Sequence, residues 1–411
     1  MEFRNHKLEN GLDIVAECNP SAYSTAIAFF VKPGSRDETD EVWGVSHFLE
    51  HMVFKGTPTR TAADVNRELD EVGSHSNAYT SEEQTVYYAT VLPEYQDRCV
   101  DLLADIMRPS LRNVDFDMEK QVILEEIAKY EDQPPFGAHE KCMAEFFGNH
   151  PLARSVLGTV ESVSALTADQ MKEYFRSRYS PSNIALCVSG NVDFDHFVAL
   201  AEQHCGHWEP FEAPRTVVRA QAHTGFKIIP KETAMQQYVI QLAAGPAAED
   251  SDRFASRLLS TILGDDSGSR MFWELVDTGL AEYAAMAPQE YQGTGVLATF
   301  LCCLPEEARR NLVRMKELFQ DAVENGITEA ELEQAKSKVC SHIILQSERP
   351  ANRLFSLGGN WIQRGEYKTV RQSVDTYRAV TVEQVNAVAK KYPLTETTTV
   401  AVGPLNELEL P

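Results

Sequence analysis

Residues 43–58 read Trp43-Gly44-Val45-Ser46-His47-Phe48-Leu49-Glu50-His51-Met52-Val53-Phe54-Lys55-Gly56-Thr57-Pro58, and five of them, His47 to His51, spell H-x-x-E-H. This is the H-E-x-x-H arrangement of metal-binding helices written in reverse. On an α-helix His47 and His51 stand one turn apart on one face, so two imidazoles reach one metal ion. Glu50 precedes the second histidine and points to the same side. Two neutral nitrogens and a carboxylate beside an open zinc position make a hydrolytic site. The five-residue pattern alone is only moderately specific.

Its surroundings sharpen it. Trp43, Val45, Phe48, Leu49, Met52, Val53 and Phe54 give the segment the apolar density of a buried helix. Asp37, Glu38, Asp40 and Glu41 precede it, as suits a helix N-terminus, and Lys55-Gly56-Thr57-Pro58 ends it. The alternative is a pair of core histidines satisfied by hydrogen bonds. It is disfavoured because a buried carboxylate between two buried imidazoles needs a compensating charge.

Such a site needs a third protein ligand. The stretch Asp117 to Tyr130 reads as an amphipathic helix, with Asp115 or Asp117 as its cap and Pro134-Pro135 as its stop. Glu119 and Glu126 are seven residues apart and share a face, while Glu125 is rotated away by about 100°. One of these glutamates can complete the metal site and another can orient a ligand. An E/K-rich helix face is otherwise simply solvated.

Taken together, these segments resemble the pitrilysin-type inverzincins, in the branch that holds the mitochondrial processing peptidases and their bacterial relatives. The resemblance rests on His47–His51, on Glu119-Lys120-Gln121-Val122-Ile123-Leu124-Glu125-Glu126-Ile127, and on Gly73 to Tyr88. That last segment is similar to the family's G-G-x-x-N-A-y-T-x-x-E-x-T-x-Y-Y strand pair, with Ser74 in place of the second glycine. The resemblance implies that His47, His51 and Glu126 hold Zn²⁺, that Glu50 is the catalytic proton acceptor and that Glu119 supports the site. It implies that the strand carrying Asn77 and Ala78 pairs with an extended peptide substrate, although Asn77 also reads as a turn residue before a strand. Tyr87 and Tyr88 read as sheet packing. The implied fold is α+β: two homologous two-layer α/β halves with mixed, largely antiparallel sheets, LuxS/processing-peptidase-like, closing as a clamshell around the substrate. A homodimer, or a heterodimer with a homologous subunit, is the family's habit.

The second half departs from the pattern. Many relatives carry an Arg and, seven residues on, a Tyr in a segment like E-I-R-E-K-R-G-L-A-Y. Here Glu274 to Tyr283 occupies that place: Tyr283 matches as a substrate-binding position, but Val276 stands where the Arg would be.

Composition agrees with a globular enzyme. The chain has 411 residues, 43% of them hydrophobic, which is room for more than one domain. A formal charge of −23 argues against nucleic acid, whose phosphates it would repel, and serves solubility or attracts cationic peptides. No apolar run reaches the length of a membrane span, and the N-terminus reads as neither signal nor transit peptide. Eight scattered cysteines without metal spacing suggest reduced thiols and a cytoplasmic setting.

The chain reads as written twice. Gly11–Val15, Thr25–Val31 and the acidic turn Pro33–Glu38 find counterparts in Phe226–Ile229, Gln237–Ala243 and Gly245–Asp250, each followed by a helix. The first helix carries His47, Glu50 and His51; the second carries Leu258, Leu259, Ile262 and Leu263. The expected division is a metal-binding half at 1–210 and a homologous half without metal at 222–411, joined through Trp208–Pro214 and an extended Thr216–Gln221. Further helices are expected from Asp193 and at 251–264, 269–277, 306–325 and 328–346. In the last of these Ile343, Ile344 and Leu345 are expected to lie on the apolar side, and Gly358-Gly359 to lie in a stretch that flexes. The expected function is a zinc-dependent peptidase acting on unfolded or extended peptides. The alternative is a non-catalytic or partner-dependent subunit of a processing-peptidase-like complex.

Overall fold

The strand Thr25–Val31 is apolar at nearly every position, and all seven of its residues are buried. Ile27, Phe29 and Val31 enter one apolar cluster, and Ala26, Ala28 and Phe30 enter another. A strand with side chains buried on both faces belongs at the centre of a sheet covered on both sides. The computed structural model, which describes all residues Met1–Pro411, has that arrangement twice.

The chain divides into two compact units. The first comprises Met1–Ala128, Arg154–Thr216 and Gln346–Lys368; the second comprises Lys129–Ala153, Val217–Leu345 and Thr369–Pro411. Neither is one continuous stretch.

The first unit is built on strands β1 (Glu2–Lys7), β2 (Asp13–Cys18), β3 (Thr25–Val31), β4 (His75–Thr80), β5 (Thr85–Val91) and β6 (Ile184–Gly190), in the order β1-β2-β6-β3-β5-β4. All pairings are antiparallel except β2 with β6. The larger cluster packs the helices Val45–Val53, Gln96–Ile106 and Asn113–Asp132 on one face. The helix Pro350–Arg364 covers the other, through Leu354, Leu357 and Ile362. Here Gly358-Gly359, expected to flex, lies within a helix. A Cβ on Gly358 would come within 2.1 Å of the Phe30 ring, so the close approach of helix to sheet requires glycine. Arg353 adds a buried bidentate pair, donating to Glu17 of β2 at 2.6 and 2.8 Å.

In the second unit the strands are β7 (Gly225–Pro230), β8 (Gln237–Gly245), β9 (Tyr283–Tyr291), β10 (Thr294–Cys303) and β11 (Thr398–Gly403), in the order β7-β11-β8-β10-β9. The helices Arg253–Gly264 and Ala308–Glu324 pack on one face and Ala138–Phe147 covers the other. The two orders match strand for strand, β1 apart.

Several local expectations change. Residues 269–277 form no regular α-helix, and the segment Phe272–Val276 is a π-helical turn. Ile344 and Leu345 are exposed; the buried side of Glu329–Gln346 is Leu332, Ala335, Lys336 and Cys340. Thr216–Gln221 lies outside helices and strands, which agrees with a connecting segment. All eight cysteines are free, and no helix is long and apolar enough to cross a membrane.

Candidate metal centre

The helix Val45–Val53 begins at Gly44, whose φ of 93° is left-handed and suits glycine. Glu38 caps it: the backbone N–H groups of Gly44 and Ser46 donate to the two carboxylate oxygens at 2.8 and 2.7 Å. This satisfies donors that a helix start leaves open. Burial pushes the Glu38 carboxyl up to about 8, against the pull of those amides and of Arg154. Phe48, Leu49, Met52 and Val53 bury one side of the helix in the core, which turns His47, Glu50 and His51 to the other.

The helix Asn113–Asp132 supplies the glutamates. Its buried residues Phe116, Glu119, Ile123 and Ile127 follow a helical stripe, and Phe116 stacks on Phe48 at 4.5 Å. This contact sets the two helices together and brings Glu119 and Glu126 over the histidines, whereas Glu125 faces solvent. The helix starts at Asn113, and Asp115 sits in its first turn.

Glu126 Oε2 lies 3.8 Å from His47 Nε2 and 3.7 Å from His51 Nε2. One donor atom from each of the three residues falls within 4.8 Å of the others. Tetrahedral zinc with ligand bonds of about 2.0–2.1 Å separates its donors by about 3.4 Å, so these residues fit such an ion with small side-chain movements. Burial, then the neighbouring His51, pushes His47 down to about 3, which keeps its ring neutral and able to ligate. His47 Nδ1 is buried with no hydrogen-bond partner.

His51 Nδ1 meets Glu119 Oε1 at 2.9 Å. Donation of the Nδ1 proton to that carboxylate leaves the Nε2 lone pair facing Glu126. Burial works to lower the His51 pKa, but the bond to Glu119 and the charges of Glu126, Glu119 and Glu50 outweigh it and raise it. Glu119 is buried as well, yet His51 and Lys55 hold its carboxyl below the usual range. Lys55 Nζ lies 2.5 Å from Glu119 Oε2. Sequence reading took Lys55 only as a helix-ending base.

Glu50 makes a different contact. Thr80 Oγ1 donates to its Oε2 at 2.6 Å. Burial raises the Glu50 carboxyl, opposed by this bond and by His51. Thr80 ends β4, the edge strand that also carries Asn77 and Ala78. Asn77 is exposed, and its Oδ1 accepts from the Ala78 N–H at 2.9 Å. Tyr87 is wholly buried in the sheet core, its hydroxyl 3.0 Å from that of Tyr179. Tyr283 starts β9 in the second unit and is half-exposed. Val276 packs against the apolar core of that unit.

Residues 13–160 match the family model "Insulinase (Peptidase family M16)", and residues 165–339 match "Peptidase M16 inactive domain". An uncharacterized zinc protease of Mycobacterium leprae is 36% identical over 388 residues, spanning 93% of this chain and 87% of the relative. The chain belongs to peptidase family M16. Another relative, an uncharacterized zinc protease of Bacillus subtilis, is 30% identical over 390 residues, 94% of this chain and 95% of its own length. A protease from Helicobacter pylori has the same fold, with a TM-score of 0.93 at 23% identity over 98% of this chain and 99% of that one. So has a Pseudomonas fluorescens structure described as a peptidase M16 inactive domain, with a TM-score of 0.91 at 18% identity over 100% of both chains. The M16 fold of two homologous α+β halves is therefore the fold of this chain.

Proposed function

We propose that this M16 chain is a zinc-dependent peptidase that hydrolyses unfolded or extended peptides held in a clamshell chamber. The observation that carries the reading is the gathering of His47, His51 and Glu126, with Glu50 beside them on the same helix. His47 Nε2, His51 Nε2 and Glu126 Oε2 would hold the ion. Bound zinc supplies Lewis acidity, polarising a peptide carbonyl and acidifying water. Glu50 takes the proton of the attacking water and passes it to the leaving amine. Its buried surroundings raise its basicity for this work. Glu119 fixes the His51 tautomer through Nδ1, and Lys55 holds the second oxygen of Glu119 in place. The free edge of β4 at Asn77 and Ala78 is suited to pairing with a peptide backbone, which reads extended conformation more than side chains. Tyr283 would contact substrate from the second half.

The test is cleavage of a mixed pool of unstructured peptides, with zinc content measured on the same samples, for wild type and Glu50→Gln. Near-stoichiometric zinc in both and cleavage by wild type alone is the expected result. Zinc without cleavage by wild type would favour the partner-dependent subunit. Absence of zinc would sink the ligand assignment.

A further inference from the structure

Glu50 is held by a hydroxyl outside the H-x-x-E-H motif. The Thr80 Oγ1–Glu50 Oε2 distance of 2.6 Å is that of a charge-assisted O–H···O⁻ bond. The only other hydroxyl near Thr80 Oγ1 is that of Thr85, at 3.5 Å, and Thr85 gives its own proton to the Pro33 carbonyl at 3.0 Å. Thr85 Oγ1 is thus a second acceptor for the Thr80 proton, but at 3.5 Å it is far weaker than the Glu50 carboxylate at 2.6 Å, which takes that proton. The donor is also rigidly placed. Thr80 and Thr85 are register partners where the β4–β5 hairpin closes, Thr85 is fully buried, and the Ser81 N–H binds the Gln84 carbonyl across the turn at 2.8 Å. The sheet, and not a loose side chain, thus sets where Oε2 sits.

We propose that Thr80 is a positioning residue for the proton transfer assigned to Glu50. It pins one carboxylate oxygen, leaves Oε1 as the oxygen that takes the proton, and selects a single rotamer from the many open to a glutamate. Thr80 belongs to the same strand whose free edge is assigned to the peptide. Base and substrate are then referenced to one stretch of backbone, which limits their relative misplacement. The inference rests on the reading of Glu50 as the base.

The variants are Thr80→Val, which keeps β-branching and the strand backbone but loses the hydroxyl, and Thr80→Ser, which keeps the hydroxyl. Thr80→Ala is a second hydroxyl-free variant should valine prevent folding. With loss of the hydroxyl kcat falls roughly 10- to 100-fold, while KM stays within about 3-fold of wild type and zinc content does not change. Thr80→Ser recovers most of kcat. Crystal structures of zinc-loaded wild type and Thr80→Val show one Glu50 rotamer in the first and several in the second. Wild-type kcat without the hydroxyl, a matching rise in KM, loss of zinc, or a serine variant as slow as valine would each overturn the proposal. If wild type cleaves no peptide, the peptidase reading fails; the Thr80 inference is then decided by the crystal structures, and an unmoved Glu50 in Thr80→Val refutes it.

Discussion

Replacing Arg353 by methionine should destabilise the first unit by about 3–5 kcal/mol, the cost of leaving a buried carboxylate without its cation. The side chains of Glu17 and Arg353 are 1% and 6% exposed, and two charge-assisted bonds of 2.6 and 2.8 Å join them. Tyr367 donates a third, to Glu17 Oε1 at 2.9 Å. With Arg353 gone, Glu17 keeps the tyrosine hydroxyl but loses its counter-charge. Glu17→Met should cost a similar amount by stranding the guanidinium. The double variant restores an apolar pair of similar volume, and should lie within about 1 kcal/mol of wild type or above it. Such a cycle has a large interaction term, unlike one for independent sites. Two readouts serve: urea unfolding, and hydrogen exchange of peptides from 350–364. Each 1.4 kcal/mol is about tenfold, so exchange in that helix should quicken by about two to three and a half orders of magnitude in the single variants. A single variant that loses less than about 1 kcal/mol with unchanged exchange, or a double variant as unstable as the singles, would refute the account of how this helix is docked.

Three further perturbations follow from the same geometry. Gly358→Ala drives a methyl into the Phe30 ring and should cost about 1–3 kcal/mol by overpacking, measured by urea unfolding; no loss would mean that the helix does not approach the sheet so closely. Glu38 has its carboxyl raised from 4.5 to about 8 in the folded state, so the folded form holds a proton that the unfolded form has lost. Its contribution is full below pH 4.5 and disappears as the pH rises through about 8, with a ceiling of about 5 kcal/mol at about 1.4 kcal/mol per unit. The stability difference between wild type and Glu38→Gln should therefore grow against wild type between pH 5 and 9, and a flat difference would contradict it. Glu119→Gln should weaken zinc binding about 10- to 100-fold in a competition with a chromophoric chelator, and unchanged affinity would remove Glu119 from the site's support.

The legible parts of this molecule are those where one local period carries the information. Two histidines one turn apart and two glutamates two turns apart announce shared helix faces, and the structure puts all four together. The apolar run of Thr25–Val31 likewise announced a strand. What stayed hidden depends on contacts between residues far apart in sequence. Gly358-Gly359 reads as flexible because glycine is a poor helix former, but packing against Phe30 outweighs propensity. Ile344 and Leu345 read as core because they are apolar, yet the helix turns Leu332, Ala335, Lys336 and Cys340 inward. Lys55 and Thr80 carry no spacing signal relative to Glu119 and Glu50. Only the packing of the two helices and the closing of one hairpin bring them within bonding distance.

The second unit supplies an internal control for why the polar cluster exists. Its sheet follows the strand order of the first, β7-β11-β8-β10 standing for β2-β6-β3-β5. After β8, at the place where Val45–Val53 follows β3, comes the helix Arg253–Gly264, which buries Leu258, Leu259, Ile262 and Leu263. The architecture therefore closes with an apolar helix at this position and does not require histidines or carboxylates there. Placing His47, Glu50 and His51 on the equivalent helix of the first unit, against Glu119 and Glu126 of Asn113–Asp132, carries a desolvation cost that apolar side chains would avoid. The site answers that cost with Lys55 on Glu119 and Thr80 on Glu50, and still leaves His47 Nδ1 unpartnered. Stability alone would select the apolar version, as the second unit does. The polar version fits the proposed metal site, with Glu50 beside His47, His51 and Glu126, and all four of these residues lie in the first unit.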